Sequence, residues 1–79
     1  MVTIHRAHGL SFVIFVDDHE PAHVHVFGDG QVKINLLGPD GAPTLVWVDG
    51  MKRGDVRRAM KIAAEQGEFF LTRWRDIHG

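Results

Sequence analysis

The chain has 79 residues, 44% of them hydrophobic, no cysteine and a formal net charge of −1. This length suits one domain spanning 1–79 with a thin margin of stability, because so short a chain buries only about 60% of its unfolded surface. The composition excludes a disordered chain, a disulfide framework and a thiolate zinc site, and the charge favours neither nucleic acid nor an anionic membrane. With no apolar run near the roughly 20 residues of a membrane span and no signal-peptide pattern, a cytoplasmic protein is the expectation.

The first part of the chain predicts two strands and a tight turn. Val2–Ile4 is short, β-branched and alternating, and His8 with the glycine after it is a turn signal. Leu10–Val16 is apolar at both even and odd positions, with Phe12 and Val16 on the same face. An apolar run on both parities is typical of a strand covered on both faces, so we expect it in the middle of a sheet.

Three further strands are predicted after an acidic turn. Residues 22–27 alternate cleanly, so that His23 and His25 share one face opposite two valines. A Gly-Asp-Gly loop then predicts a hairpin, and the next strand alternates apolar and polar residues as a half-exposed strand does. In the last strand Leu45 and Trp47 fall on one face, and Trp47 is expected in the core. These strand candidates are Ala22–Phe27, Gln31–Leu37 and Thr44–Val48.

Two helices are predicted at the end of the chain. Apolar residues recur with a 3.6-residue period from about Arg53 to Gln66, with Asp55 in the first turn and Gly67 as the expected C-cap. A second helix is predicted over Glu68–Ile77, with its aromatic residues in the core. Together these elements predict an α+β domain: a small antiparallel sheet of four to five strands with one or two C-terminal helices packed on one face. The aromatic residues expected in the core are Phe69, Phe70 and Trp74.

The stretch Asp17–Val26 is the candidate functional site. It places three carboxylates, three histidines and a proline at a turn between predicted strands, where binding and catalytic groups tend to lie. His23 and His25, two residues apart on one strand, aim at a single point, and Pro21 fixes the turn before them. This pattern predicts a site for a divalent transition metal, since imidazole and carboxylate both bind such ions; the alternative is a turn held by one hydrogen-bonded histidine, with the others exposed. The predicted metal ligands are Asp17, His19, His23 and His25, with Asp18 as the alternative to Asp17.

The same two histidines support a second hypothesis, a small ribonuclease that needs no metal. His23 or His25 would act as general base and the other, protonated, as acid, with Arg6 or Arg53 steadying a phosphate. Residues 17–29 contain four acidic side chains and no Lys or Arg. Because such a surface opposes the approach of RNA, nucleic acid is a less favoured partner.

A basic stripe is predicted on the first helix. Arg53, Arg57 and Lys61 recur at four-residue spacing and therefore share one helix face. A nucleic-acid backbone or an acidic partner protein would bind such a face, whereas a solvated helix surface is the alternative that the negative net charge favours. The candidate binding residues are Asp18, His19, Pro21, Arg53, Arg57 and Lys61.

The motif at 18–26, Asp-His-Glu-Pro-Ala-His-Val-His-Val, resembles that of the small prokaryotic family known as domain of unknown function 4160. That family is marked by an acidic or Asn residue, then Glu-Pro-Pro or His-x-Pro, then His-x-His-Val. The resemblance extends over nearly the whole chain, through Thr3 and Arg6 of an early Thr-Ile-x-Arg, a glycine before an aromatic strand, and Trp74 near the end of the C-terminal helix. The chain departs from the pattern at Ala22, where a second proline is common.

The resemblance implies a class of function and no chemistry, because the family has no agreed catalytic residues. Its members often resemble the small partner proteins of toxin–antitoxin-like gene pairs. It therefore implies a protein-binding module of a two-protein system, with the His-rich turn as recognition or ligand site and a protein encoded nearby as partner. An unpaired sheet edge also invites pairing with a second copy, so a homodimer is a further expectation. Whether the protein is an enzyme stays open.

Overall fold

Five strands and two helices follow one another along the chain, and the computed structural model describes all 79 residues. The strands form one sheet in the order of the sequence, and every neighbouring pair is antiparallel. This confirms the predicted α+β class. The elements are β1 (Val2–Ala7), β2 (Leu10–Ile14), β3 (His23–Phe27), β4 (Gln31–Asn35), β5 (Thr44–Asp49), α1 (Arg53–Glu65) and α2 (Gly67–His78).

The core lies between the helices and one face of the sheet. Alternate residues of β2, β3 and β4 supply its fully buried side chains, since successive residues of a strand point to opposite faces. Phe70 and Trp74 of α2 pack against them, as the sequence predicts. Burying one such large apolar side chain contributes roughly 1.5–3 kcal/mol. The buried strand residues of this cluster are Ile4, Leu10, Phe12, Ile14, Val24, Val26, Val32 and Ile34.

The first hairpin is closed by two residues with left-handed backbone conformations. His8 has φ of 55° and Gly9 has φ of 75°, which is the requirement of a type I′ turn and matches the right-handed twist of the strands. The predicted turn is confirmed, but β1 continues beyond Ile4 as far as Ala7. Ile4 is the extra residue of a β-bulge, because the residues on either side of it, Thr3 and His5, pair with two consecutive residues of β2.

Strand β2 ends earlier than its apolar run predicts. After Ile14 the chain turns, and the N–H of Asp18 donates to the carbonyl of Phe15 at 3.0 Å. The side chain of Asp18 closes the same turn by accepting the N–H of Phe15 at 3.1 Å. Val16 therefore leaves the sheet and is 59% exposed, so the prediction that it shares the buried face of Phe12 is wrong.

A second bulge changes the faces of β5. Trp47 pairs with Lys33 and Leu45 pairs with Ile34, so Val46 is the extra residue between them. Directly opposite residues of an antiparallel pair share a face, which places Leu45 with the helices and Trp47 on the other side. The prediction that these two share a face is wrong. So is the prediction of Trp47 in the core, because β5 is an edge strand and Trp47 is 38% exposed.

The two helices are separated by a single residue. Gln66, with φ of −103° and ψ of 15°, is the C-cap of α1, and Gly67 is already the first residue of α2. The prediction of Gly67 as a C-cap is therefore wrong, whereas Asp55 in the first turn of α1 is confirmed. Phe69 faces outward at 46% exposure and is not a core residue. Neither helix combines the length and hydrophobicity that crossing a membrane requires.

Candidate functional site

Asp18, His23 and His25 form a cluster, here called the Asp/His cluster, at the end of the sheet where β3 begins. The turn after β2 positions Asp18, because its carboxylate is tied back to the N–H of Phe15. His23 is the first residue of β3, and His25 follows on the same face by the alternation of the strand. One ligand atom from each of the three lies within 4.8 Å of the others. The structure thus brings both predicted histidines to one carboxylate.

His23 is buried, with only 4% of its surface exposed. Its Nδ1 lies 2.8 Å from the carbonyl oxygen of Pro21, and its Nε2 lies 3.1 Å from Oδ2 of Asp18. The ring of Trp74 packs beside it, with centroids 5.1 Å apart. Both ring nitrogens of His23 are therefore engaged, and solvent reaches the ring only poorly.

His25 is half-buried on the sheet face without helices, here called the open face. Its Nε2 lies 3.8 Å from Oδ2 of Asp18, and its Nδ1 lies 3.2 Å from the side-chain nitrogen of Gln31. Aromatic rings flank it, with Phe15 at 4.8 Å and Trp47 at 5.9 Å between centroids. Burial lowers the pKa of His25 below its ordinary value of 6.5, the Asp18 carboxylate opposes this, and the charges of His23 and Lys33 add to the lowering.

The other members of the predicted metal set lie outside the cluster. Asp17 and His19 are exposed, and neither belongs to the group of close ligand atoms. Asp18 takes the carboxylate position instead, because the bond to the N–H of Phe15 turns its side chain inward. The sequence left open which of the two aspartates would serve, since nothing in the spacing specifies how the turn is closed.

The remaining predicted binding residues lie in two separate places. Pro21 is exposed, but its carbonyl accepts the hydrogen bond from His23. Arg53, Arg57 and Lys61 are exposed on α1, in the helix layer on the other side of the sheet from His25. A cleft of about 310 Å³ is lined by Gly54, Arg57, Arg58 and Lys61. The basic stripe and the Asp/His cluster therefore cannot act together on one small ligand.

Three residues near the cluster were given no role by the sequence reasoning. Gln31 contacts His25, and Glu20 accepts a hydrogen bond from the indole N–H of Trp74 at 3.3 Å. Asn35 pairs directly with His23 across β3 and β4, and its side-chain oxygen is buried without a hydrogen-bond partner. The hairpin signal at 28–30 was sufficient to predict two of these contacts. The hairpin sets the register of β3 and β4, which places Asn35 opposite His23 and Gln31 diagonal to His25.

The outer side of β5, here called the β5 edge, is the other unusual surface. All six residues of the strand are exposed. Four consecutive apolar ones, from Leu45 to Val48, are each between 38% and 45% exposed. Trp47 belongs to this edge and also contacts the ring of His25. The β5 edge and the Asp/His cluster therefore adjoin on the open face.

The comparison with known protein families gives one match. The sequence model of the family described as "Domain of unknown function (DUF4160)" matches residues 9–75, which confirms the resemblance that the motif suggested. Neither the curated proteins nor the solved structures contain a significant match to the chain.

Proposed function

Since the chain belongs to the DUF4160 family, whose description assigns no function, we propose a function from the geometry: a protein-binding module that pairs the β5 edge with an extended strand of a partner. The observation that carries this proposal is the run of four exposed apolar residues, Leu45 to Val48, on an edge strand. A strand at the edge of a sheet presents unpaired N–H and C=O groups to a further strand.

The two edges of the sheet differ in how they are protected. β1 carries His5 and Arg6 among its six residues. Both edge strands contain a bulge, so the difference lies in the charged side chains, which are a common means of blocking edge-to-edge pairing. β5 contains no charged residue between Leu45 and Val48 and exposes all of them. The β5 edge is thus the better candidate for strand addition, in which main-chain hydrogen bonds give affinity and side-chain pockets give specificity.

The expected partner is the small protein encoded nearby, as in the toxin–antitoxin-like pairs to which the family resemblance points. An added strand would lie beside Trp47, whose ring is 5.9 Å from that of His25. The Asp/His cluster would then adjoin the interface as a ligand site. A second copy of the chain is the alternative occupant, because a strand can pair with its own copy about a two-fold axis.

The test measures the affinity between the purified chain and the product of the adjacent gene for the wild type, Val46→Lys and Val16→Lys. Val46 lies on the β5 edge, whereas Val16 is equally apolar, 59% exposed and outside the strands. We expect Val46→Lys to weaken binding at least about tenfold, because a lysine on the edge must be desolvated for the strands to pair. Val16→Lys should bind as the wild type does. Equal binding by Val46→Lys, or no complex with the wild type, contradicts the proposal.

Sedimentation of the protein alone shows whether the partner protein or a second copy of the chain occupies the β5 edge. A dimer that Val46→Lys converts to a monomer assigns the β5 edge to a second copy. A wild-type monomer that binds the neighbouring gene product assigns it to the partner.

The geometry gives less support to a ribonuclease. His23 is buried and both of its ring nitrogens are engaged, whereas a general base must reach the proton that it abstracts. Arg53, offered as a phosphate ligand, lies on the helix layer away from His25. RNA cleavage by the purified wild type that is lost in a His23→Ala, His25→Ala double variant would reverse this preference.

A further inference from the structure

The hydrogen bond between His23 and Pro21 fixes where the proton of the imidazole ring lies. Nδ1 is 2.8 Å from the carbonyl oxygen of Pro21. A carbonyl oxygen can only accept, so Nδ1 carries the proton and donates. In the neutral ring Nε2 then has a lone pair and no proton. The backbone carbonyl of Pro21 therefore leaves the lone pair of Nε2 available to bind a ligand.

That lone pair faces a second acceptor. Nε2 of His23 is 3.1 Å from Oδ2 of Asp18, and an ionised carboxylate offers lone pairs only. Two acceptors at hydrogen-bonding distance repel each other unless a positive species lies between them. In a position where His23 is 4% exposed, that species is either a proton shared by the pair or a metal ion.

The position of His25 favours the metal over the proton. A proton between His23 and Asp18 needs no third group, yet Nε2 of His25 lies 3.8 Å from the same Oδ2. Zinc held tetrahedrally at 2.0–2.1 Å separates its ligand atoms by about 3.3 Å. The two separations to Oδ2, 3.1 and 3.8 Å, bracket that value, and the three ligand atoms all lie within 4.8 Å of one another.

We propose that Asp18, His23 and His25 bind one divalent first-row transition metal ion, with zinc as the best fit. Two imidazoles and one carboxylate are the donor types of zinc and its neighbours, whereas Mg²⁺ and Ca²⁺ prefer oxygen ligands throughout. Three protein ligands leave one tetrahedral position for water, a substrate group or a side chain of a partner. This site does not depend on the strand-pairing function proposed for the β5 edge.

Two groups outside the cluster orient its ligands. The carbonyl of Pro21 holds the ring of His23, and the amide of Gln31 lies 3.2 Å from Nδ1 of His25. When Nε2 of His25 binds the ion, Nδ1 carries the proton, and a half-turn of the Gln31 amide presents its oxygen as acceptor. Such partners fix the tautomer of a metal-bound imidazole, and losing one typically lowers affinity about 10–100-fold.

The test is a calorimetric titration of zinc into the untagged full chain after removal of metals with a chelator. We expect saturation at one equivalent per chain, with affinity lowered more than about 100-fold in Asp18→Asn and His25→Gln and about tenfold in Gln31→Leu. His19→Gln and Asp17→Asn should bind zinc as the wild type does, because both residues are exposed outside the cluster. Magnesium should give no heat above dilution.

A spectroscopic measurement on the wild type keeps the proposal testable if a variant fails to fold. Long-range ¹H–¹⁵N spectra of the imidazoles should show Nδ1 of His23 protonated before and after one equivalent of zinc, with Nε2 of His23 and His25 shifting on addition. Zinc that does not bind, or a proton on Nε2 of His23 that zinc does not displace, overturns the proposal. Zinc binding that survives Asp18→Asn and is lost in His19→Gln also overturns it. Val46→Lys changes no proposed ligand, so failure of strand pairing leaves this result unaffected.

Discussion

The two faces of the sheet are built from the same strands and have opposite characters. On the helix-covered face, alternate residues of β2, β3 and β4 are apolar and almost fully buried. On the open face, the residues between them include the buried Val13 and four half-buried aromatic or polar residues, His25, Phe27, Gln31 and Lys33. A period of two residues lets one short sequence specify a core and a polar surface independently.

This division matters in a domain of 79 residues. A chain so small has little apolar surface to spare, and its whole stability is of the order of 5–15 kcal/mol. Because the helices cover only one face, the other holds a carboxylate and two imidazoles, and the one imidazole that is fully buried, His23, has a partner for each ring nitrogen. Stability and the candidate site are thus assigned to different faces, which single substitutions can test.

The largest expected effect comes from matched phenylalanines on the two faces. Phe12 is fully buried under the helices, whereas Phe27 is half-buried on the open face. Phe12→Ala should lower the free energy of unfolding by about 3–5 kcal/mol, and Phe27→Ala by about 1 kcal/mol. Urea denaturation followed by circular dichroism measures both. If Phe12→Ala is already unfolded in water, Phe12→Leu provides the smaller, measurable loss. Equal losses on the two faces would refute the division.

The next effect isolates the turn that carries the cluster. Asp18→Asn removes the charge that faces His23 and weakens the bond to the N–H of Phe15. With chelator present, we expect a loss of about 1–3 kcal/mol in the free energy of unfolding, since a partly buried hydrogen bond to a charged group is weakened. Asp17→Asn is the matched control and should change stability by at most about 0.5 kcal/mol, because Asp17 is exposed. A loss in Asp17→Asn as large as in Asp18→Asn would mean that the turn needs acidic charge and not this contact.

Local patterns were sufficient to predict the layers of the fold. Strict alternation identified the shared face of His23 and His25, and the 3.6-residue period identified α1. Turn signals located the first hairpin, because only a few residue types tolerate positive φ. These features depend on neighbours in sequence, so the sequence alone contains them.

The features that could not be predicted depend on contacts between residues far apart in the chain, or on which of two adjacent residues makes a contact. Trp47 looks like a core residue until the order of the strands makes β5 an edge and a bulge at Val46 reverses its face. The choice of Asp18 over Asp17 is made by one bond to the N–H of Phe15, which residue spacing does not encode. In β5 a shift of a single residue in register moves a side chain to the opposite face.

The pH dependence of stability tests the electrostatics of the open face. Because burial lowers the pKa of His25 below 6.5, the folded chain holds fewer protons there than the unfolded chain between the lowered value and 6.5. Stability from this residue is therefore fully present above 6.5 and declines as the pH falls through that window. With chelator present, the wild type should lose more stability between about pH 7 and pH 5 than His25→Gln does. Asp18, His23 and Lys33 face position 25 in both proteins, so most of their own contribution to the difference cancels. If His25→Gln loses more stability than the wild type over this range, the Asp18 charge has a larger effect on the pKa of His25 than burial has.

The smallest expected effect on stability separates the β5 edge from both faces. Val46 is 44% exposed and is the extra residue of the bulge, so Val46→Lys should change the free energy of unfolding by no more than about 0.5 kcal/mol. Val26→Lys, on the covered face at 0% exposure, should prevent folding, because it buries an unpaired charge.

Urea denaturation measures the stability of Val46→Lys, and circular dichroism shows whether Val26→Lys folds. A large loss in Val46→Lys would mean that its side chain supports the sheet. Unchanged stability would mean that the exposed apolar side chain at this position contributes little to folding, and any loss of partner binding in this variant could then be attributed to the interface.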